Sequence, residues 1–194
     1  LPNAALIQEG VTVTVEPGTQ LQFWTDDPHD AYADTAITYL KVDGTLLCNG
    51  TEDEHIRMFP SELMDRFRVQ IYEGGRGTIK LYYTDVVNPY LSDRDYSGSY
   101  GITLAENCEF SQNYAATRIY YRYLEDGVVK TNSYGYGCIY ADALKDCAFN
   151  KLGGDNYSSY YAFYIAAPCD GCIFVDSAVH LRENYEYTNC VFYG

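Results

Sequence analysis

The chain has 194 residues, which suits one domain, and 47% of them are hydrophobic, enough to form a core. Its formal net charge of −14 argues against binding to nucleic acid or an anionic membrane surface, since both require clustered Lys and Arg. No run of 18 apolar residues occurs, so the sequence predicts no membrane insertion. Tyrosine occurs 22 times against 8 Phe, and this Tyr-rich, acidic composition is typical of secreted or cell-surface β proteins. We therefore expect an extracellular location.

The first third of the chain has the pattern of short strands separated by turns. Val11–Val15 alternates valine with threonine and is followed by a Pro17-Gly18 turn. In residues 39–60, the turn-formers Asp43-Gly44 and Asn49-Gly50 separate three short apolar pieces. Such short strands broken by glycine turns favour one rung of a coil that stacks on the next rung.

Two polar insertions, near residues 25–35 and 88–101, interrupt this pattern. Between them, Phe67–Ile71 and Thr78–Leu81 again alternate with period two. No segment shows a helical apolar period over three or more turns, so we predict a chain composed almost entirely of strands and turns.

A four-residue signature, in which Asn, Asp or Gly is followed by Cys-x-Phe, recurs four times from residue 107 onward. Its cysteines are Cys108, Cys147, Cys172 and Cys190. Repeats of roughly 20–45 residues are typical of solenoids, and an inserted loop lengthens an interval. Because cysteine behaves as a small buried hydrophobe, we interpret the four as a structural ladder inside the coil. The spacing of Cys169 and Cys172 leaves a disulfide, zinc or redox chemistry as alternatives.

The turn pattern resembles that of right-handed parallel β-helix proteins of the pectin-lyase-like superfamily. Val42, Gly44, Leu46 and Gly50-Thr51 match an opening motif of their coils, and Asn107–Phe110 matches a later repeat. The resemblance implies an all-β fold: a single-stranded right-handed parallel β-helix (a solenoid) of about seven or eight coils that spans residues 1–194 as one domain. The chain departs from the family in its high Tyr content and in having no recognisable capping helix. We expect it to be part of a longer protein or to be capped by a partner.

One acidic segment is a candidate cation site. Hard cations such as Ca²⁺ require several carboxylate or carbonyl oxygens, and the densest group of them lies in the first polar insertion. Its members are Asp26, Asp27, Asp30 and Asp34. The pattern of an EF-hand loop is absent, so a solvated acidic loop is the alternative to calcium as a cofactor.

The tyrosines provide the leading functional hypothesis. Adjacent residues of a strand face opposite sides, so each Tyr-Tyr pair is expected to place one ring outward. Outward rings in successive coils would form an aromatic strip suited to stacking on sugar rings or docking on a protein. We predict ligand-binding roles for Tyr82, Tyr120, Tyr134 and Tyr160. The alternative is that these rings only cover the edges of the coils.

The sequence therefore predicts a non-catalytic, secreted or cell-surface module that binds a polysaccharide or a cell-surface protein. The alternative is a polysaccharide lyase or glycoside hydrolase of the β-helix type. Of the signatures carried by β-helix glycosidases of the polygalacturonase kind, only Asp26-Asp27 occurs here. With 27 acidic residues in the chain, no pair can be selected from sequence, so no catalytic residue is predicted.

Overall fold

A computed structural model describes residues 4–23, 39–60, 69–73, 77–91, 102–112, 119–125, 128–134, 138–152 and 163–194. Within these ranges the chain consists of strands and turns, without a helix, which confirms the predicted all-β class. None of the described residues belongs to a helix that could cross a membrane.

Apart from one hairpin, the strands of the described residues follow one another in seven sets of three, here called repeats 1 to 7. The first four repeats contain β1 (Ala4–Ile7), β2 (Thr12–Val15) and β3 (Gln20–Phe23); β4 (Tyr39–Val42), β5 (Thr45–Asn49) and β6 (Ile56–Pro60); β7 (Val69–Glu73), β8 (Thr78–Tyr82) and β9 (Thr84–Val87); β10 (Pro89–Leu91), β11 (Leu104–Glu106) and β12 (Glu109–Ser111). A hairpin follows, made of β13 (Ile119–Glu125) and β14 (Val128–Tyr134). The last three repeats contain β15 (Cys138–Tyr140), β16 (Leu144–Lys145) and β17 (Ala148–Asn150); β18 (Phe163–Ala166), β19 (Cys169–Asp170) and β20 (Ile173–Val175); β21 (Val179–Leu181), β22 (Tyr187–Thr188) and β23 (Val191–Tyr193).

Each repeat contributes one strand to each of three parallel sheets. Sheet 1 has the order β1-β4-β7-β10-β15-β18-β21, and sheet 2 has the order β2-β5-β8-β11-β16-β19-β22. Sheet 3 has the order β3-β6-β9-β12-β17-β20-β23. The hairpin forms a separate antiparallel pair. Every repeat therefore pairs only with the repeats immediately before and after it.

The in-register pairing stacks equivalent side chains in columns that face a common interior. The inward columns are Ala5, Leu40, Ile71, Leu91, Ile139, Ile165 and Leu181 in sheet 1; Val15, Cys48, Leu81, Ala105, Leu144, Cys169 and Tyr187 in sheet 2; and Leu21, Met58, Val86, Phe110, Phe149, Phe174 and Phe192 in sheet 3. Except for Phe192, all of them belong to one hydrophobic cluster or pack against it. The three sheets therefore share a single core.

The Phe residues of the Cys-x-Phe signature form a stack along this core. Ring centroids are 5.4 Å apart between Phe110 and Phe149, and 4.6 Å apart between Phe149 and Phe174. Phe174 and Phe192 are also 4.6 Å apart. These distances match the separation of neighbouring strands, about 4.8 Å, because each strand supplies one ring.

Short turns connect sheet 2 to sheet 3, and they use special backbone geometry. The first residue after the sheet 2 strand has a positive φ in repeats 3 to 7, at Tyr83, Asn107, Asp146, Gly171 and Asn189. Asn, Asp and Gly adopt this left-handed conformation with little strain, which explains why they precede the cysteine in the repeated signature.

Repeat 2 has Gly50 at the equivalent position, without a positive φ. An added Cβ there would overlap the carbonyl oxygens of Tyr83 and Tyr82, so the close approach of two backbones requires glycine.

The second predicted polar insertion contains a strand that the sequence pattern did not reveal. Pro89–Leu91 form β10, in which Leu91 is 1% exposed and pairs with Ile71 and Ile139. A proline at the first position of a strand is compatible with pairing, because it removes only one terminal donor. Residues 25–35 and 92–101 lie outside the described residues.

Candidate functional site

The tyrosines predicted to bind a ligand lie in different parts of the fold. Tyr82 ends β8 on sheet 2 and is half-buried. Tyr120 and Tyr134 belong to the hairpin, where they pair with Ser133 and Ile119. Tyr160 lies outside the described residues. Tyr82 therefore shares neither a strand nor a sheet with Tyr120 and Tyr134.

The predicted calcium ligands, Asp26, Asp27, Asp30 and Asp34, also lie outside the described residues, and calcium binding stays a prediction. Among the residues that the structure describes, no group of three or more His, Cys, Asp or Glu side chains could hold a metal ion.

The four cysteines of the signature occupy equivalent positions, directly after the left-handed turn residue. Each thiol donates to the carbonyl two residues earlier and to a carbonyl of the preceding repeat. Cys108 donates to Glu106 and Leu81, both at 3.4 Å, and Cys147 to Lys145 at 3.2 Å and Ala105 at 3.5 Å. The contacts of Cys172 and Cys190 follow the same pattern. These hydrogen bonds connect each turn to the sheet 2 strand of the preceding repeat.

Burial and hydrogen bonds raise the pKa of two cysteines, Cys48 and Cys147. All six cysteines whose side chains the structure describes are free, and only Cys190 is partly exposed. Burial raises the pKa of Cys48 to about 12. Hydrogen bonds with the thiols of Cys108 and Cys172, followed by burial, raise the pKa of Cys147. Since the thiolate is the nucleophile and metal ligand, these two residues are unsuited to either role.

Cys48 should make stability depend on pH in alkaline solution. In the unfolded chain its thiol ionises near the ordinary value of 9.0, whereas the folded protein retains the proton up to about pH 12. The unfolded state therefore binds fewer protons between these values, and stability falls by about 1.4 kcal/mol per pH unit above pH 9. Urea unfolding at pH 7 to 11 measures this dependence. Above pH 9, the stability of Cys48→Val should fall by about 1.4 kcal/mol less per pH unit than that of the unmodified chain. Identical slopes in the two proteins would contradict the assignment.

The outer face of sheet 1 carries a group of aromatic and basic side chains in repeats 5 to 7. Tyr164 and His180 are paired in register, with ring centroids 5.5 Å apart. Arg182 donates from Nη2 to the hydroxyl of Tyr140 at 3.1 Å, and its guanidinium carbon lies 5.7 Å from the ring centroid. Tyr140 and Tyr164 are half-buried, and His180 and Arg182 are exposed. We call these four residues the aromatic surface.

Two other strands of sheet 1 have tyrosine at the register position of Tyr164, namely Tyr39 and Tyr90. The column that contains Tyr164 runs through Ala4, Tyr39, Gln70, Tyr90, Cys138, Tyr164 and His180. The longest connections follow β3, β10, β12 and β17, and all of these except the one after β10 lead from sheet 3 toward sheet 1. Long connections positioned by a rigid scaffold are a common location for binding residues.

A second group of ionisable side chains lies on the outer face of sheet 3. Nδ1 of His55 donates to Oδ1 of Asp85 at 2.7 Å. Arg57 is in register with Asp85, which in turn is in register with Glu109. Sequence reasoning missed this group because His55 and Asp85 are 30 residues apart and no periodic spacing connects them.

Comparison of the chain with protein-family models, curated proteins and solved structures finds no match. No residue therefore acquires a role from a characterised relative. The two surfaces on sheets 1 and 3 are the features from which a function can be inferred.

Proposed function

We propose that the three parallel sheets wind as one single-stranded, right-handed parallel β-helix of the pectin-lyase-like type, with the seven repeats as its coils. Two features support this: apart from the hairpin strands, every third strand joins the same sheet, and the three inward columns share one core. Connections between parallel strands of one sheet are right-handed in nearly all proteins, which supports the hand.

We propose further that the aromatic surface is a non-catalytic binding site for carbohydrate on a secreted or cell-surface protein. The observation that carries this is the in-register pair Tyr164 and His180 beside the Arg182–Tyr140 contact. Half-buried tyrosine rings offer a flat apolar area at low entropic cost, and their hydroxyls offer hydrogen bonds to sugar hydroxyls. His180 and Arg182 add polar groups at the rim of the same area.

The choice of carbohydrate over a protein partner follows from the composition of the surface. Its four members all have polar atoms at the tip of the side chain, and Ala166, in register with Tyr140, is 2% exposed. A standard protein interface requires about 800 Å² per partner with a buried apolar centre. Four amphipathic side chains are better suited to one or two sugar rings.

Tyr164→Ala should weaken glycan binding by about tenfold or more, since removal of a stacking ring costs on the order of 1.4 kcal/mol or more. A glycan array would identify the ligand, and calorimetry would measure the affinity of both proteins. Tyr193→Ala is the matched control, because Tyr193 is 61% exposed on sheet 3, away from the surface. Equal affinities of Tyr164→Ala and the unmodified chain, or an array without any bound glycan, would show that the proposal is wrong.

A further inference from the structure

The ionisable group on sheet 3 holds a histidine in one orientation. His55 and Arg57 flank Ile56, which is fully buried, so both project outward from the start of β6. The carboxylate of Asp85, from the next repeat, accepts the hydrogen bond from Nδ1 of His55 at 2.7 Å. The ring of Tyr83 meets the imidazole edge-on at 5.7 Å between centroids. Two residues of repeat 3 therefore fix a side chain of repeat 2.

This arrangement leaves the other ring nitrogen available. Nε2 of His55 has no hydrogen-bond partner among the described residues, and the side chain is 37% exposed, so water can reach it. A carboxylate on Nδ1 selects the tautomer in which Nε2 accepts a proton, which is the arrangement of a general base.

Arg57 provides a positive charge on the same outward face as this base. Its guanidinium carbon lies 5.1 Å from the centroid of the Phe59 ring, on the same outward face of β6. A cation on the same face as a base can stabilise negative charge that develops on a reacting oxygen.

We propose that His55, Asp85 and Arg57 form a hydrolytic site for carboxylic esters, which adds an activity to a protein otherwise inferred to bind its ligand. The preferred substrate class is an O-acylated sugar, and this choice rests on the carbohydrate binding proposed above. Nε2 of His55 removes a proton from a water molecule as the water oxygen bonds to the acyl carbon. Arg57 stabilises the resulting oxyanion. The tetrahedral intermediate then breaks its bond to the alcohol oxygen, which takes the proton from Nε2, so that carboxylic acid and alcohol are released.

Cleavage of a glycosidic bond fits this group less well. Glycosidases require two carboxyl groups that both act on the sugar. The carboxylate of Asp85 is engaged by His55, and it would lose that contact if it attacked an anomeric carbon. Water activated by the imidazole requires no second carboxyl group.

Hydrolysis of 4-methylumbelliferyl acetate by the full chain tests the site without a glycan. The protein should exceed an equal concentration of free imidazole by about a hundredfold, because the site positions its base and adds a cation that stabilises the oxyanion. His55→Ala should lose this excess, and added imidazole should restore part of it, which a merely structural role would not produce. Asp85→Asn and Arg57→Gln should each lower the rate by about tenfold or more. The control Asp53→Asn changes an exposed carboxylate of the same turn and should leave the rate unchanged.

The results of these assays distinguish the ester-hydrolysis proposal from the carbohydrate-binding proposal. A rate equal to that of free imidazole, or one unaffected by His55→Ala, overturns the ester-hydrolysis proposal and leaves glycan binding intact. With acetylated xylan as the substrate, Tyr164→Ala should reduce acetate release while hydrolysis of the small ester continues. Loss of both activities in Tyr164→Ala, or the appearance of reducing ends with the unmodified chain, would overturn the assignment of separate surfaces.

Discussion

Replacing Phe149 by alanine is expected to lower the free energy of unfolding by about 3–5 kcal/mol. The ring is fully buried and stacks between Phe110 at 5.4 Å and Phe174 at 4.6 Å. Its removal leaves a cavity in the middle of the stack that strands of fixed register cannot close. Urea unfolding followed by circular dichroism measures the effect.

Phe192→Ala is the matched control for this substitution. Phe192 occupies the same column and lies 4.6 Å from Phe174, but it is 57% exposed. Its removal creates no enclosed cavity, so we expect a loss of about 1 kcal/mol or less. If the two substitutions cost the same, the Phe column is not a buried stack.

Gly50→Ala is expected to destabilise the protein by about 3 kcal/mol, at the upper end of the range for overpacking. The new methyl group would meet the carbonyl oxygens of Tyr83 and Tyr82, which belong to the backbone of the next repeat. Backbone cannot move aside as a flexible side chain can. The Gly50 N–H also donates to the Tyr82 carbonyl at 3.1 Å, and this hydrogen bond would have to lengthen.

Gly10→Ala is the control for this substitution, because it introduces backbone strain without steric overlap. Gly10 has a φ of +78°, but no atom lies within 4 Å of its added Cβ. Alanine there should cost only the strain of a left-handed conformation, about 1–2 kcal/mol. A Gly50→Ala protein at least as stable as Gly10→Ala in the same urea experiment would rule out the close approach of repeats 2 and 3.

The sequence was sufficient to predict the all-β class. Period-two alternation in stretches such as Thr45–Asn49 is a direct consequence of strand geometry. The Cys-x-Phe signature recurs because the turns into sheet 3 in repeats 4 to 7 share one geometry: a left-handed residue, then cysteine, and two positions later a phenylalanine of the sheet 3 column. A backbone geometry that recurs in successive repeats produces a recurring sequence pattern, which can be recognised without the structure.

Features that depend on long-range register were not predictable in the same way. The lengths of the connections into sheet 1 vary from repeat to repeat, so the pairing of Tyr164 with His180 has no fixed spacing in sequence. Strands of two residues, such as Leu144–Lys145, are too short to show alternation. The contact between His55 and Asp85 likewise depends on which residues face each other across neighbouring repeats.

The pairing of each repeat only with its immediate neighbours has a consequence for engineering. His55, Arg57 and Asp85 lie in repeats 2 and 3, and the aromatic surface occupies repeats 5 to 7, so repeat 4 lies between them. Energetic coupling between non-adjacent repeats is small in such nearest-neighbour arrays, and distant substitutions add without interaction. The two surfaces can therefore be altered, combined or transplanted as independent modules.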